Sequence, residues 1–363
     1  MRNSARVLCA TVTLALAAKG APAQTHSPLR FTGDFRVRYE NTSQANGALS
    51  SSKEVVRLRA GIAYALREDV AVRARLATGS GNDPNSTDVT LSQFVNDLEM
   101  SLDIAAIEVN RRRWGAVGGK FNNPFFAPTE LVWDGDVNPQ GVGGRLIAGS
   151  PARVTGTLTG LYFIVDQQTG GLGSDMGGAQ LTLRATPDSA WRVAAAAAYY
   201  DYRVRSLLNA DAGDTRTNRL APGGGRYLSD FDLLNATLTV EHLGLGERWP
   251  LRVVGDYVHN GGAADLNTGW QADLYVGRAQ RPRDWRWRYG YAVVETDAVL
   301  AAFSHDNTTI GTNTETHTLA FDAIPLSGLL LNATWYLYRP HLVAPSAPRE
   351  RQHRVRLNAT VTF

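Results

Sequence analysis

The chain has 363 residues, of which 44% are hydrophobic and 20% are charged, and its mean hydropathy is −0.22. The formal net charge of +3 comes entirely from residues 1–23, which contain Arg2, Arg6 and Lys19 but no acid, so the rest of the chain is neutral and gives no support to nucleic-acid binding. After residue 23, no stretch is apolar enough to cross a membrane as a helix.

Residues 1–23 have the pattern of a secretory signal peptide. Arg2 and Arg6 precede a short apolar run, and Ala21-Pro22-Ala23 forms a small-residue cleavage site. We therefore predict cleavage of residues 1–23 and a single mature domain, residues 24–363. The only cysteine, Cys9, lies in the signal peptide, so the mature chain is predicted to contain no disulfide and no cysteine-bound metal.

From Leu29 onward, apolar and polar residues alternate in segments of roughly ten residues, as in a β-strand with one face in each environment. In the first segment, for example, Val37 lies between Arg36 and Arg38. The pattern predicts sixteen strands, near residues 30–39, 56–64, 70–76, 98–104, 113–120, 141–147, 153–165, 178–186, 191–201, 231–241, 250–259, 270–276, 285–296, 316–324, 329–339 and 352–363.

The predicted connections alternate between short and long along the chain, beginning with a long one at 41–54 and a short one at 67–69. With an even number of strands, this predicts an all-β fold, a transmembrane up-and-down antiparallel β-barrel with short periplasmic turns and long extracellular loops. Trp and Tyr residues near strand ends fit aromatic girdles at the two membrane interfaces, although a soluble β-sandwich also uses aromatic residues. The candidate girdle residues are Tyr39, Trp114, Trp191, Tyr199, Trp249, Tyr257, Trp270, Trp285 and Trp287.

The C-terminal strand, His353 to Phe363, alternates to the last residue and ends on an aromatic side chain. A soluble chain seldom keeps an apolar face to its terminus, because termini fray. The strand resembles the closing strand of a bacterial outer-membrane barrel. That resemblance implies that Phe363 is an assembly signal and that the barrel-assembly machinery is a partner.

Arginines are concentrated on the inward faces of the last strand and the first three strands, which are neighbours once a barrel closes. Their side chains stay charged and bind carboxylates in two-point fashion. We predict a pore-lining basic wall that favours anions, although for any single arginine a solvated lumen residue is the better explanation. The named members are Arg36, Arg38, Arg57, Arg59, Arg73, Arg75, Arg354 and Arg356, with Arg30 beside them.

The segment from Lys120 to Arg145 is stiffened by prolines and is rich in aromatic residues, so we predict that it folds into the lumen. Its acids Glu130, Asp134 and Asp136 would then form a constriction opposite the arginines, and Glu99 and Asp103 would line the pore beside them. Charges arranged in this way orient dipolar solutes and select ions. The alternative is an extracellular loop that contacts a neighbouring subunit.

Two segments resemble a known family. GGKFNNPFF…ELVWDGDVNPQGV and WRWRYGYAVVETDAVLAAFSHDN are similar to signatures of the outer-membrane porin family of Gram-negative bacteria. The resemblance implies a passive channel for small hydrophilic solutes, located in the outer membrane among lipids and lipopolysaccharide. It also suggests a homotrimer, without cofactor or metal. The loop from Tyr202 to Asp230, which is rich in glycine and arginine, departs from the family pattern.

Two other functions use the same features. An export-type channel specific for an anionic acid or polysaccharide, similar to alginate-export barrels, would use the arginine wall more selectively. An outer-membrane protease would use an Asp pair such as Asp134 and Asp136 with an Asp-His pair such as His305 and Asp306. Such proteases resemble ten-stranded barrels, so the predicted strand number favours a channel without enzymatic activity.

Overall fold

The computed structural model describes residues 28–44, 50–81, 83–91, 98–150, 153–168, 173–343 and 349–363. The predicted signal peptide and Cys9 lie outside these ranges. Within these ranges, sixteen long antiparallel strands follow one another around a closed barrel, in which the last strand pairs with the first. The predicted fold class is confirmed, and each predicted strand overlaps one observed strand.

The long strands are β1 Leu29–Gln44, β2 Ser50–Arg67, β3 Val70–Thr78, β5 Met100–Asn110, β6 Trp114–Lys120, β7 Gln140–Gly149, β8 Val154–Asp166, β9 Ser174–Ala185, β10 Trp191–Arg203, β11 Phe231–His242, β12 Leu251–Asn260, β13 Thr268–Gly277, β14 Asp284–Val294, β15 Thr314–Leu326, β16 Leu329–Pro340 and β17 Gln352–Thr362. A two-residue strand, β4 Val89–Thr90, pairs with β2. One short helix, α1 Ala212–Thr215, is present, and none of the described helices is long and apolar enough to span a membrane.

Side chains alternate between an apolar outer face and a polar inner face. On β1, Phe35 and Val37 are 42% and 44% exposed, whereas Asp34 and Arg38 are buried. The exposed apolar faces continue around the barrel, which is the surface expected of a barrel in lipid and the opposite of a β-sandwich core. Most of the candidate girdle aromatics are exposed on this outer surface, as listed here: Tyr39, Trp114, Trp191, Tyr199, Tyr257, Trp270 and Trp287.

A β-bulge interrupts the alternation of β5. The pairing of β3 with β5 shifts register between Arg75 and Leu76, which leaves Asp103 as the extra residue. Leu102 therefore stays outward, whereas Asp103 and Ile104 are both buried inside. Strict alternation predicts Ile104 on the outer face, and the bulge places it in the interior.

The two ends of the chain meet where β17 closes the barrel against β1. The backbone of Phe363 exchanges two hydrogen bonds with Gly33, at 2.8 and 3.0 Å. A Cβ on Gly33 would lie 2.6 Å from the ring of Phe363 and 2.5 Å from the carbonyl oxygen of Arg59, so only glycine allows the aromatic ring to lie over β1.

Deleting Phe363 is expected to lower the amount of folded barrel in the outer membrane, because the closing pair of hydrogen bonds and the ring over Gly33 are lost together. Immunoblots of membrane fractions, with heat-modifiable mobility as the assay of folding, measure this. Gly33→Ala should give a weaker version of the same defect. Unchanged levels of the deletion variant would contradict the proposed role of the terminal residue.

Connections of the barrel pack against its inner surface, and two of the described ones supply most of the buried apolar residues. We call residues 121–139, between β6 and β7, inner segment 1, and residues 295–313, between β14 and β15, inner segment 2. Together with inward side chains of β5, β8 to β12 and β14, and with Tyr227, they form one buried apolar cluster, which includes Trp133, Tyr200 and Phe303. The apolar cluster lies against one side of the interior, and the arginine-rich strands form the other side.

Candidate functional site

The structure brings the predicted arginines together on the inner faces of β17, β1, β2 and β3. Arg38, Arg57 and Arg356 are each less than a tenth exposed, although they lie at the edge of the lumen. Their position follows from the alternation of the strands and from the closure of β17 on β1, which places Arg356 opposite Glu40.

Every named member of this wall forms an ion pair with a carboxylate. Asp34 on β1 binds Arg57 at 2.9 Å and Arg59 at 2.6 Å, and Glu40 binds Arg356 at 2.7 Å. The remaining pairs are Arg36 and Arg38 with Asp88, Arg73 with Glu108, Arg75 with Asp103, and Arg354 with Glu40. The wall is therefore a network of opposite charges rather than a bare cationic surface. Glu40 was missed, although it continues the inward alternation of β1.

Inner segment 1 contacts inward-facing residues from several strands. The backbone N–H of Phe126 donates to Gln180 of β9 at 2.6 Å, and Asn138 donates to Asp103 of β5 at 2.7 Å. Asp136 lies between two arginines of β2. The segment therefore reaches from the apolar side of the interior to the arginine wall.

The acids of inner segment 1 have different surroundings. Asp136 is bound by Arg57 at 3.3 Å and by Arg59 at 2.9 Å. Glu130 accepts a hydrogen bond from Asn307 at 2.6 Å, and Asp134 accepts one from the backbone N–H of Asp136 at 2.8 Å. Glu130 and Asp134 thus have amide partners where Asp136 has arginines.

The pKa values of these acids follow from their positions. Burial raises the pKa of Glu130, with a further contribution from Asp306. Burial and the neighbouring Glu130 raise the pKa of Asp134 well above its ordinary value. Both carboxyl groups therefore take up protons more readily than a solvated acid.

The two predicted acids on or next to β5 differ from each other. Asp103 is buried and bound by Arg75 at 2.6 Å. Glu99 precedes β5 and is exposed, and its carbonyl oxygen accepts a hydrogen bond from Gly79. Asp103 joins the charged network, whereas Glu99 has no contact with the arginine wall among the described contacts.

Inner segment 2 was predicted only as a long loop, yet it holds inner segment 1 in place. The backbone N–H of Asp134 donates to the carbonyl of Phe303 at 2.8 Å, and the hydroxyl of Ser304 donates to the carbonyl of Leu131 at 3.0 Å. The rings of Trp133 and Phe303 stack with centroids 6.0 Å apart. The signal in the sequence was an apolar run, VLAAF, inside a connection that should otherwise be polar.

The middle of inner segment 2 places His305 and Asp306 beside the arginine wall. Asp306 is 3.3 Å from Arg356, and although burial raises its pKa, Arg356 and Arg38 together lower it to about 2. Burial and the neighbouring Arg216 lower the pKa of His305 to about 3. At neutral pH Asp306 is therefore an anion held by arginines, and His305 is a neutral ring.

A second group of arginines, missed from the sequence, faces the first across a cavity of about 460 Å³. Arg252 on β12 and Arg286 and Arg288 on β14 surround the ring of Tyr275, with guanidinium carbons 4.1 to 5.7 Å from its centroid. Asp273 pairs with Arg288 at 3.1 Å. The alternation of arginine with tryptophan at the start of β14 was the available signal.

Two charged cavities in the interior share three of their lining residues beside inner segment 2. A cavity of about 520 Å³ lies toward the long connections and is lined by Glu40, Lys53 and Asp88. It shares Arg38, Asp306 and Arg356 with the 460 Å³ cavity on the other side. These three charged residues therefore lie at the junction of the two cavities. No cluster of three metal-binding side chains occurs among the described residues.

Comparison with protein families gives a match over residues 44–220 to the family described as "Putative porin". No curated protein matches the sequence. The matched range includes the first signature segment and all of inner segment 1, whereas the second signature segment lies beyond it.

Several solved structures are similar across nearly the whole chain. OprB of Pseudomonas putida superposes with a TM-score of 0.63 at 10% identity, covering 93% of this chain and 94% of that one. The trimer form of OmpT of Vibrio cholerae gives 0.53 at 11% identity, covering 92% and 99%. The channel DcaP of Acinetobacter baumannii gives 0.53 at 12%, covering 92% and 97%. At these identities the likeness establishes the fold alone.

Proposed function

We propose that this chain, which matches the family described as "Putative porin" over residues 44–220, is an outer-membrane channel for passive diffusion of small hydrophilic solutes, with a preference for anions. The observation that carries the proposal is the charged cavity of about 460 Å³, lined by seven arginines and five acids. The arginines are Arg36, Arg38, Arg57, Arg252, Arg286, Arg288 and Arg356, and the acids are Glu130, Asp134, Asp136, Asp306 and Asp322.

The excess of arginine supports the preference for anions. Guanidinium groups keep their charge at any physiological pH. Glu130 and Asp134 carry raised pKa values, so the acids supply less negative charge than their number suggests. An anion entering the cavity can replace a carboxylate as the partner of an arginine. It can leave again because the same carboxylate competes for that arginine.

The mechanism is diffusion through a wet, charged passage and includes no chemical step. Inner segment 1 narrows the lumen, with Asp136 bound to the arginine wall and with Glu130 and Asp134 lining the cavity beside it. A field across the passage orients solutes that carry a dipole. The Asp and His residues considered for a protease are used here as partners of arginines or as buried neutral groups.

The location and partners follow from the same proposal. Residues 1–23 would be cleaved on export, lipids and lipopolysaccharide would surround the apolar belt, and the assembly machinery would recognise Phe363. Three copies would associate, as they do in the trimer form of OmpT.

Planar-bilayer recording of the refolded mature protein tests the function. Ohmic steps with a reversal potential of anion-selective sign across a salt gradient are expected. Very small conductance that an organic acid or a uronate blocks would instead favour the export-type channel specific for an anionic substrate. A silent bilayer, with a protein that has folded by heat-modifiable mobility, would contradict both.

Lowering the pH is expected to strengthen the preference for anions at pH values where solvated carboxylates are still ionised. Because the pKa values of Glu130 and Asp134 are raised, these groups lose their negative charge before a solvated carboxylate does as the pH falls. Near Glu130, Asp306 stays an anion because Arg356 and Arg38 lower its pKa, and Arg288 stays a cation.

Reversal potentials measured at stepwise lower pH check this. In Glu130→Gln the change with pH should be smaller than in the wild type, while Asp265→Asn, at an exposed loop position, serves as the control. A pH profile identical in wild type and Glu130→Gln would show that other groups cause the dependence.

A further inference from the structure

A third cavity, of about 430 Å³, lies beside the passage, and we call it the side chamber. Its walls come from the connection between β3 and β4, the connection between β10 and β11, the end of β8 and both inner segments. Asn85 donates to the carbonyl oxygen of Ser304 at 2.8 Å and Thr87 donates to Asp136 at 3.4 Å, which holds the β3–β4 connection against both inner segments. Among the described lining residues, the side chamber shares Asp136 alone with the 460 Å³ cavity, so the two are separate sites.

The side chamber has an excess of negative charge. Six aspartates line it, and Lys120 is the one lysine or arginine among its described lining residues. Asp103 and Asp136 are paired with arginines of the wall. The other four have no cation within salt-bridge distance in the described part of the chain, and they are Asp83, Asp166, Asp211 and Asp214. An imbalance of this kind attracts cations into the cavity.

An independent observation points to a ligand in the side chamber. Tyr227 lines it and is only 8% exposed. Its ring packs edge-on against Phe231, with centroids 5.3 Å apart, whereas no described residue forms a hydrogen bond with its hydroxyl. The hydroxyl is not among the polar atoms that are closed off from solvent, so it is accessible from the cavity. Because the polar group of a buried side chain normally has a partner, this hydroxyl is free to bind a ligand.

The carboxylate of Asp214 lies near the hydroxyl of Tyr227. Burial and the charge of Asp214 raise the pKa of Tyr227, although no hydrogen bond joins the two groups. Burial and the neighbouring Asp211 raise the pKa of Asp214 in turn. An ammonium group between them would donate hydrogen bonds to the phenol oxygen and to the carboxylate, and it would balance the charge of Asp214.

The remaining walls of the side chamber are apolar. Side chains from the end of β8, from the β10–β11 connection and from inner segment 2 supply them, namely Phe163, Val165, Val204, Leu207, Leu300, Ala302 and Phe303. The volume lies within the range of about 300–1,000 Å³ typical of small-molecule sites. No group of three metal-binding side chains occurs in the described part of the chain, so these walls suit an organic cation better than a metal ion.

We propose that the side chamber binds small organic amines that carry an apolar body. Asp83, Asp214 and Tyr227 hold the ammonium group. The apolar body packs against Leu207 and Phe303. This site lies outside the arginine-lined passage, and its occupant has the charge opposite to that of the solutes proposed for the passage, so it does not depend on the proposed channel function.

Calorimetric titration of the mature protein, refolded in detergent micelles, tests the site with three matched solutes. These are 4-phenylbutylamine, 4-phenylbutanol, which lacks the charge, and butylamine, which lacks the ring. After subtraction of titrations into protein-free micelles, we expect 4-phenylbutylamine to bind at least about tenfold more tightly than either of the others. Equal affinity for 4-phenylbutylamine and either of the other two solutes would overturn the proposal. Ion conductance reports the channel function separately.

A double variant, Asp83→Asn with Asp214→Asn, locates the ammonium group. Asparagine keeps the shape of both side chains, and at position 214 it can still accept the hydrogen bond from the backbone N–H of Asp211. The double variant should lose the preference for 4-phenylbutylamine over 4-phenylbutanol. Asp265→Asn, which removes an exposed carboxylate outside the side chamber, should keep it. A preference that persists in the folded double variant would place the amine elsewhere and overturn the assignment, and the comparison of solutes in the wild type stands whether or not the variant folds.

Discussion

Replacing Arg36, Arg38, Arg57 and Arg59 with alanine is expected to shift the channel toward cation selectivity. The four arginines face Asp34, Asp88 and Asp136, which bind them directly. Removing the guanidinium groups leaves these carboxylates at the passage without partners, so the local charge changes sign. The reversal potential across a salt gradient should move toward the cation-selective value, and the change should shrink at high ionic strength as the charges are screened.

The matched control replaces the same four residues with lysine, which keeps the charge but loses the two-point geometry. The reversal potential of the lysine variant should stay close to the wild-type value, whereas the ion pairs of residues 57 and 59 with Asp34 should weaken. If the alanine variant folds and conducts with an unchanged reversal potential, the arginine wall does not set the selectivity.

The strands could be predicted because each strand obeys one local rule. Side chains of a barrel in lipid face either lipid or the lumen. Apolar and polar residues therefore alternate along each strand, as in Arg36-Val37-Arg38. The closure of β17 on β1 also follows from sequence, because an up-and-down barrel has only one way to close. The arginine wall was predictable for the same reason.

The interior could be predicted only in part, because contacts across the lumen depend on residues far apart in the chain. Asp88 reaches Arg38 from the connection before β4, and Asn307 reaches Glu130 over 177 positions. Nothing in the local pattern of inner segment 2 indicates which surface its apolar run covers. The bulge at Asp103 was hidden as well, since Leu102 and Ile104 fit plain alternation equally well.

Truncating Trp133 to alanine is expected to increase conductance and current noise. Trp133 is 2% exposed and contacts Phe303 of inner segment 2 and Tyr200 of β10, with ring centroids 6.0 and 5.6 Å away. Removing a buried aromatic side chain of this kind costs about 3–5 kcal/mol of packing. This contact joins the two inner segments to β10, so the substitution weakens their attachment to the barrel. The strands keep their own hydrogen bonds.

If the inner segments detach from the inner surface of the barrel, more of the lumen is open to ions. Single-channel conductance steps should therefore become larger and less uniform. Trp191→Ala, at an exposed position on the outer surface, is the control and should leave the steps unchanged. Because the strands form a closed sheet that does not depend on Trp133, the variant should still run as a folded barrel on gels. Steps of wild-type size and noise in a folded Trp133→Ala protein would mean that the inner segments do not limit the flow of ions. The charged side chains of Arg38, Asp306 and Arg356 alone would then have to narrow the passage.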